Sequence, residues 1–147
     1  MEVREMMTEL ERAAKIAEIA YARRVDKAGY TLYAHALRVA SDPLLTTDVE
    51  RTVGILHDIL EDTVVTAGQL RAWGFAEDVV AAVVALTRPT GIAYNDYVRA
   101  LAGNPLARLV KIADLRDHLA RKHLLPLTHR GLAKRYENAL AILGVTP

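Results

Sequence analysis

Four ionisable side chains, His57, Asp58, Glu61 and Asp62, interrupt the apolar stretch Val53-Gly54-Ile55-Leu56-His57-Asp58-Ile59-Leu60-Glu61-Asp62-Thr63. On a helix, residues three and four apart share a face, so His57 with Glu61, Asp58 with Glu61 and Asp58 with Asp62 form one polar stripe. Val53, Ile55, Leu56, Ile59 and Leu60 around that stripe call for burial. A helix this apolar does not lie on a solvated surface, and burying several carboxylates without a counter-charge is very costly. The segment therefore demands a packed helical interior with a cation inside it.

The rest of the chain is punctuated as helices, and strand alternation is missing. Leu10, Ala13, Ala14, Ala17, Ala20 and Tyr21 recur at helical spacing and predict a first helix that ends before Gly29. Thr31 caps a helix carrying His35, which Pro43 ends. Thr47-Asp48-Val49-Glu50 is a capping box opening the helix that carries His57 to Asp62. Thr66-Ala67-Gly68-Gln69 opens a short helix stopping near Gly74, and Phe75 to Leu86 forms another, ended by Arg88-Pro89. Gly91 marks a turn before a helix over Tyr94 to Leu101. Asn104-Pro105 supplies an N-cap followed by Pro at the first helical position, opening a long helix through Asp114. Pro126 separates it from a last helix around Leu132 to Leu143. This pattern predicts an all-α, single-domain helical bundle over residues 1–147, with no repeat or linker dividing it.

Two further ligand candidates stand in Ala- and Leu-rich helical contexts, His35 in Tyr33-Ala34-His35-Ala36-Leu37 and Asp114 in Lys111-Ile112-Ala113-Asp114-Leu115. His35, His57, Asp58 and Asp114 together offer two imidazoles and two carboxylates. That mixed set suits manganese, iron or zinc, and the absence of cysteine removes soft-metal chemistry. A divalent ion lowers the pKa of bound water from near 16 to about 7 and polarises a phosphoryl oxygen, so one ion supplies nucleophile and electrophile. Glu61 or Asp62 is placed to orient that water or accept its proton. Lys27, Arg38, Lys111 and Arg116 are the nearest cations for a phosphate leaving group, with Lys27 preferred. A surface salt bridge from Lys111 to Asp114 is the plain alternative for that pair.

In the order His35, His57-Asp58, Asp114 the chain resembles the HD-domain metal-dependent phosphohydrolases. More narrowly, Ala17 to Val39, His57 to Thr63 and Lys111 to Asp114 are similar to the hydrolase domain of the Rel/Spo guanosine tetraphosphate (ppGpp) enzymes. The resemblance implies manganese on His35, His57, Asp58 and Asp114, water activation by Glu61 and Asp62, and hydrolysis of ppGpp to GDP and pyrophosphate. It also implies substrate contacts at Lys27, Arg38 and His118. Two positions differ from the family pattern. Where that pattern has an Arg-Lys pair with the Arg packed on guanine, this chain reads Asp26-Lys27-Ala28-Gly29, and where it has Asn four residues after the last metal Asp, this chain has His118. A carboxylate has neither the planar cation nor the donor fork of a guanidinium. A nucleotide phosphomonoesterase of the same superfamily, or a catalytically silent nucleotide-binding module, are the alternatives.

With 147 residues and a formal net charge of +1, the chain has the size of one domain and no basic stripe for nucleic acid. Its start, Met1-Glu2-Val3-Arg4-Glu5, is unlike a signal segment, and no apolar run reaches the roughly twenty residues a bilayer requires. The cytoplasm is the expected compartment and a small-molecule nucleotide the expected partner. Apolar helix faces fit a core and a second copy of the chain equally well. Tyr94 and Tyr97 read as packing residues ahead of base or ribose contacts, as do Trp73 and Phe75. Arg23-Arg24 and Arg121-Lys122 read as solvated helix ends, and His123 and His129 as loop residues.

Overall fold

The computed structural model describes residues 7–146, so the charged start Met1 to Glu5 lies outside them. The described residues are all-α and contain no strand. The elements are α1 (Glu9–Ala20), α2 (Leu32–Ala40), α3 (Asp48–Leu56), α4 (Ile59–Asp62), α5 (Ala67–Ala72), α6 (Glu77–Leu86), α7 (Tyr94–Leu101), α8 (Pro105–Ala120) and α9 (Gly131–Ile142). Two 3-10 turns, Lys122–Leu124 and Leu127–His129, connect α8 to α9. No helix among the described residues is long and apolar enough to cross a membrane.

The caps act where the sequence places them. Thr31 accepts from the Ala34 N–H, Thr47 and Glu50 close a capping box, Thr66 and Gln69 close another, and Asn104 accepts from the Ala107 N–H ahead of Pro105. Each satisfies a backbone donor that the first helical turn leaves open, which typically stabilises by about 1 kcal/mol. Thr8 and Glu11 form a third box, opening α1.

The first helix spans the periodic residues and ends before Gly29 as expected. It stops at Ala20, and the chain then folds back through an isolated antiparallel bridge between Val25 and Thr31. Asp26 builds that turn, its carboxylate accepting from the N–H groups of Ala28 at 2.9 Å and Tyr30 at 3.0 Å. The expected continuous helix through His57 to Asp62, by contrast, does not form. It breaks at the His57-Asp58 pair into α3 and the single turn α4.

One buried apolar cluster joins α1, α2, α3 and α6 to Ala107, Val110 and Ala113 of α8, and a second joins α7 and α9 to Ile112 and Leu115 of α8. The middle of α8 therefore has protein on both sides, and Lys111 and Asp114 are buried with it. Charged groups so placed must find partners inside the molecule. Trp73, by contrast, is 41% exposed while Phe75 is buried, so only the latter packs as expected.

Gly54 sets the separation of α2 and α3, and hence of His35 from His57. A Cβ there would lie 3.1 Å from Ala40 Cα, 3.3 Å from Ala40 N and 3.1 Å from Leu45 Cδ1. Backbone cannot yield as a side-chain tip can. Alanine's better helix propensity, up to about 1 kcal/mol, is outweighed by overpacking of typically about 1–3 kcal/mol. Chemical denaturation should show Gly54→Ala less stable than the parent by about 1–2 kcal/mol. Gly131→Ala, whose added Cβ meets nothing within 4 Å, should be neutral or slightly stabilising.

Candidate metal centre and substrate cavity

The break after α3 has a local cause and a geometric result. His57 Nδ1 donates to the Gly54 carbonyl at 2.6 Å, and Asp58 leaves helical geometry at φ −101°, ψ 3°. His57 and Asp58 are thereby turned toward α2 and α8. The single polar stripe predicted for a continuous helix is split. Glu61 is exposed and accepts from the Arg88 N–H at 2.7 Å, while Asp62 is half-buried at the cavity wall.

His35, on α2, is held the same way from the other side. Its Nδ1 lies 2.7 Å from Asp117 Oδ2, and Asp117 is itself bound by Arg38 through Nε at 2.8 Å and a terminal nitrogen at 3.1 Å. A backbone carbonyl only accepts, and so does the ionised Asp117, whose carboxyl sits at about 2: burial opposes this, but the His35 and Arg38 hydrogen bonds prevail. Both histidines therefore carry hydrogen on Nδ1 and turn Nε2 inward. There His35 Nε2 lies 2.8 Å from Asp114 Oδ1 and 3.8 Å from Asp58 Oδ2, and His57 Nε2 lies 3.2 Å and 3.1 Å from the same two atoms.

Neutral imidazoles would point lone pairs at carboxylate lone pairs across these gaps. Something positive has to lie between them. Without a metal it is a proton: burial pushes His35 down, yet the hydrogen bonds it donates to Asp114 and Asp117 carry it up to about 9. His57 is likewise driven well above the usual imidazole range, where burial is overcome by Asp58 and Asp114. A divalent ion meets the same demand. One ligand atom from each of His35, His57, Asp58 and Asp114 lies within 4.8 Å of the others, three of these residues are buried, and both Nδ1 atoms already have the partners that orient metal-binding imidazoles. The donor set fits a divalent cation of borderline type.

Lys111 does pair with Asp114, at 2.9 Å on Oδ2, but as a buried contact that leaves Oδ1 to the centre. The surface salt bridge is thus replaced by an internal one. Against burial, Lys111, His118 and His57 hold Asp114 ionised well below the normal carboxylate range.

A cavity of about 510 Å³ opens over the centre, within the range of small-molecule sites. Asp58, Asp62 and Glu61 line it near the ligands, with Lys27, His118, Arg88, Arg121 and Arg135 also on its wall. Of the cations singled out from sequence, Lys27 and Lys111 line the cavity. Arg38 does not; it is spent on Asp117, behind His35. Arg116 is turned to Asp42 at 3.4 Å, also away from the cavity. Arg121, read as a solvated helix end, instead lies 3.4 Å over the Tyr30 ring at the cavity. Tyr94 lines the cavity, its buried hydroxyl without a partner and its ring 4.7 Å from the Arg135 guanidinium. Tyr97 also lines the cavity, but it is buried and its hydroxyl is engaged, donating to the Leu86 carbonyl. His123 is exposed and His129 half-buried, and neither lines the cavity.

Asp117 and Arg121 had a readable signal. Lys111, Asp114, His118 and Arg121 follow at three- and four-residue spacing along α8, and Asp117 is three residues from Asp114. Arg88 and Arg135 had none.

No protein-family model matches the sequence, and no curated protein does. Among solved structures, the fold matches that of a metazoan ortholog of SpoT, a protein that hydrolyses ppGpp and plays a role in starvation responses. The TM-score is 0.77, over 93% of this chain and 86% of that chain, at 18% sequence identity. The chain thus has the HD-type helical fold.

Two measurements follow from the anchoring of the histidines. In metal-free protein the raised pKa of His35 stabilises the fold fully below pH 6.5, its value unfolded, and this is lost as pH rises through about 9. Unfolding free energy should fall on the order of 3 kcal/mol across that window, and saturating metal should flatten the fall. Asp117→Ala, which frees His35 Nδ1 and Arg38, should weaken metal binding by about 10–100-fold by calorimetric titration.

Proposed function

We propose that this protein is a metal-dependent phosphohydrolase acting on a nucleotide, and that its reaction is the 3'-pyrophosphohydrolysis of ppGpp to GDP and pyrophosphate. The observation that carries the metal-dependent reading is the pair of inward Nε2 atoms, each locked by its Nδ1 partner and facing Asp58 and Asp114. The alarmone reading is supported by the fold shared with a ppGpp-hydrolysing protein and by the cation-lined cavity. A bound divalent ion, manganese by preference and iron or zinc otherwise, would supply an activated water and polarise the phosphoryl oxygen.

The chain's own groups then divide the remaining work. Burial, with Asp58 and Glu61 nearby, lifts Asp62 to about 6, which makes its carboxylate a better proton acceptor than an ordinary aspartate. Glu61 holds the Arg88 backbone and so fixes the cavity rim against α4. Lys27, Arg88, Arg135 and His118 face the phosphates as they enter, and the Tyr94 hydroxyl offers a donor among them. Arg38 supports His35 through Asp117 and touches no substrate.

Asp26 favours keeping a second reading. Its carboxylate closes its own turn, so this position presents no flat cation to a guanine base. A nucleotide phosphomonoesterase needs none.

Manganese-loaded protein given ppGpp should release pyrophosphate. Asp114→Ala should lose metal and turnover together, whereas Asp62→Asn should keep the metal and lose turnover by roughly 10²–10⁴-fold, as for a proton-transferring group, and Glu61→Ala should keep the metal and lose turnover through the loosened cavity rim. Orthophosphate release from nucleoside monophosphates with ppGpp untouched would select the phosphomonoesterase. Nucleotide binding without any turnover would leave a silent module, and full activity in Asp114→Ala would exclude the metal-dependent reading.

A further inference from the structure

The charged cluster extends beyond four ligands. His118, one turn after Asp114 on α8, brings its Nε2 to 3.2 Å from Asp114 Oδ1. That same oxygen meets His35 Nε2 at 2.8 Å and His57 Nε2 at 3.2 Å. Three imidazole nitrogens thus converge on one carboxylate oxygen, which has two lone-pair directions to give. The other oxygen is occupied by Lys111 at 2.9 Å. Three ring N–H groups cannot all bond well at Oδ1, whereas a cation lying among the nitrogens and the oxygen satisfies them together.

His118 is held differently from its two neighbours. Those are pinned through Nδ1, but His118 is fixed by its faces. Its ring stacks on Tyr136 with centroids 5.0 Å apart at 22°, and lies 4.5 Å from the His35 ring at 34°. Its side chain is 27% exposed, against 2% for His35 and His57, and it lines the cavity. It stands outside the compact set of four ligand atoms. An ion among those four has its open positions toward the cavity, and that is the side His118 occupies.

We infer that His118 is a fifth, exchangeable ligand of this metal centre, giving it three imidazoles and two carboxylates. This rests on the metal-dependent reading proposed above for the same site. A ring stacked on its neighbours but not anchored through Nδ1 is the ligand an incoming phosphate oxygen displaces most readily. A third imidazole also moves the site's preference from manganese toward iron, cobalt and zinc.

The test is to load the wild-type protein with Co2+, count the histidine rings whose protons carry the large contact shift of direct coordination rather than a through-space shift alone, and titrate its visible absorption. Three shifted imidazoles are expected, falling to two in His118→Asn. In that variant Co2+ should bind at least about tenfold more weakly, the lower end of what losing even an outer partner costs, with a smaller loss for Mn2+. Two shifted imidazoles in the wild-type protein, or an unchanged spectrum and affinity in the variant, would overturn the inference and leave the four-ligand centre standing. No Co2+ bound by the wild-type protein would overturn the metal reading and the inference together. The wild-type count stands even if the variant fails to fold.

Discussion

Asp114 is an ionised carboxylate in the middle of a helix whose central turn, Val110 to Leu115, is buried all round, and much of the structure is arranged around that fact. Helix packing on both sides of α8 excludes water from Oδ1 and Oδ2, so each oxygen must be met by a donor or a cation from the protein. Lys111 meets one oxygen from the preceding turn. The other draws in His35 from α2 and His57 from the end of α3, which fixes the separation of three helices at once. The glycine at position 54 follows from this requirement, because only a residue without Cβ lets α2 and α3 approach so closely and still offers its carbonyl to His57.

The same constraint accounts for the broken helix. Had α3 run on through Asp62, His57 and Asp58 would project in directions separated by the helical rotation, and they could not both face Asp114 with Glu61 on the same stripe. Ending α3 at Leu56 and restarting with one turn turns Asp58 inward and leaves Glu61 outside, where it holds the Arg88 backbone. Two adjacent residues face one centre only because the regular periodicity is interrupted between them.

What the sequence disclosed divides along this line. Caps are local chemistry, so Thr31, Thr47, Thr66 and Asn104 were readable from a few neighbouring residues, and the helices they open appear where expected. That His35, His57, Asp58 and Asp114 would converge was legible because a buried ionisable group in an apolar helix has few explanations, and because their order resembles a known pattern. The helix break was not legible, since it depends on a hydrogen bond from His57 to Gly54 that serves a partner on α8, far along the chain. Arg38 and Arg121 were misplaced for a related reason. Both are cations on helices that carry site residues, and sequence alone does not say that Arg38 turns outward to Asp117 while Arg121 turns inward over Tyr30. Spacing along α8 did hold the information for Arg121, through Asp114 and His118, but spacing names a face and not what that face meets.

The charges of the centre also link its chemistry to its stability. Two buried imidazoles opposite two carboxylates can be neutralised by protons or by a divalent ion, and the two occupants exclude one another. Protons are retained on His35 up to about pH 9, so metal must displace them at neutral pH, and binding is expected to strengthen as pH rises. Burial makes the exchange matter: an ion pair with one partner removed inside a protein costs about 3–5 kcal/mol, so a centre with neither protons nor metal is not a state the fold tolerates easily. A cation at this centre would accordingly be part of the interior. An ion completing the packing of α2, α3 and α8 would be held from the protein side by His35, His57, Asp58 and Asp114 and would be approached from the cavity.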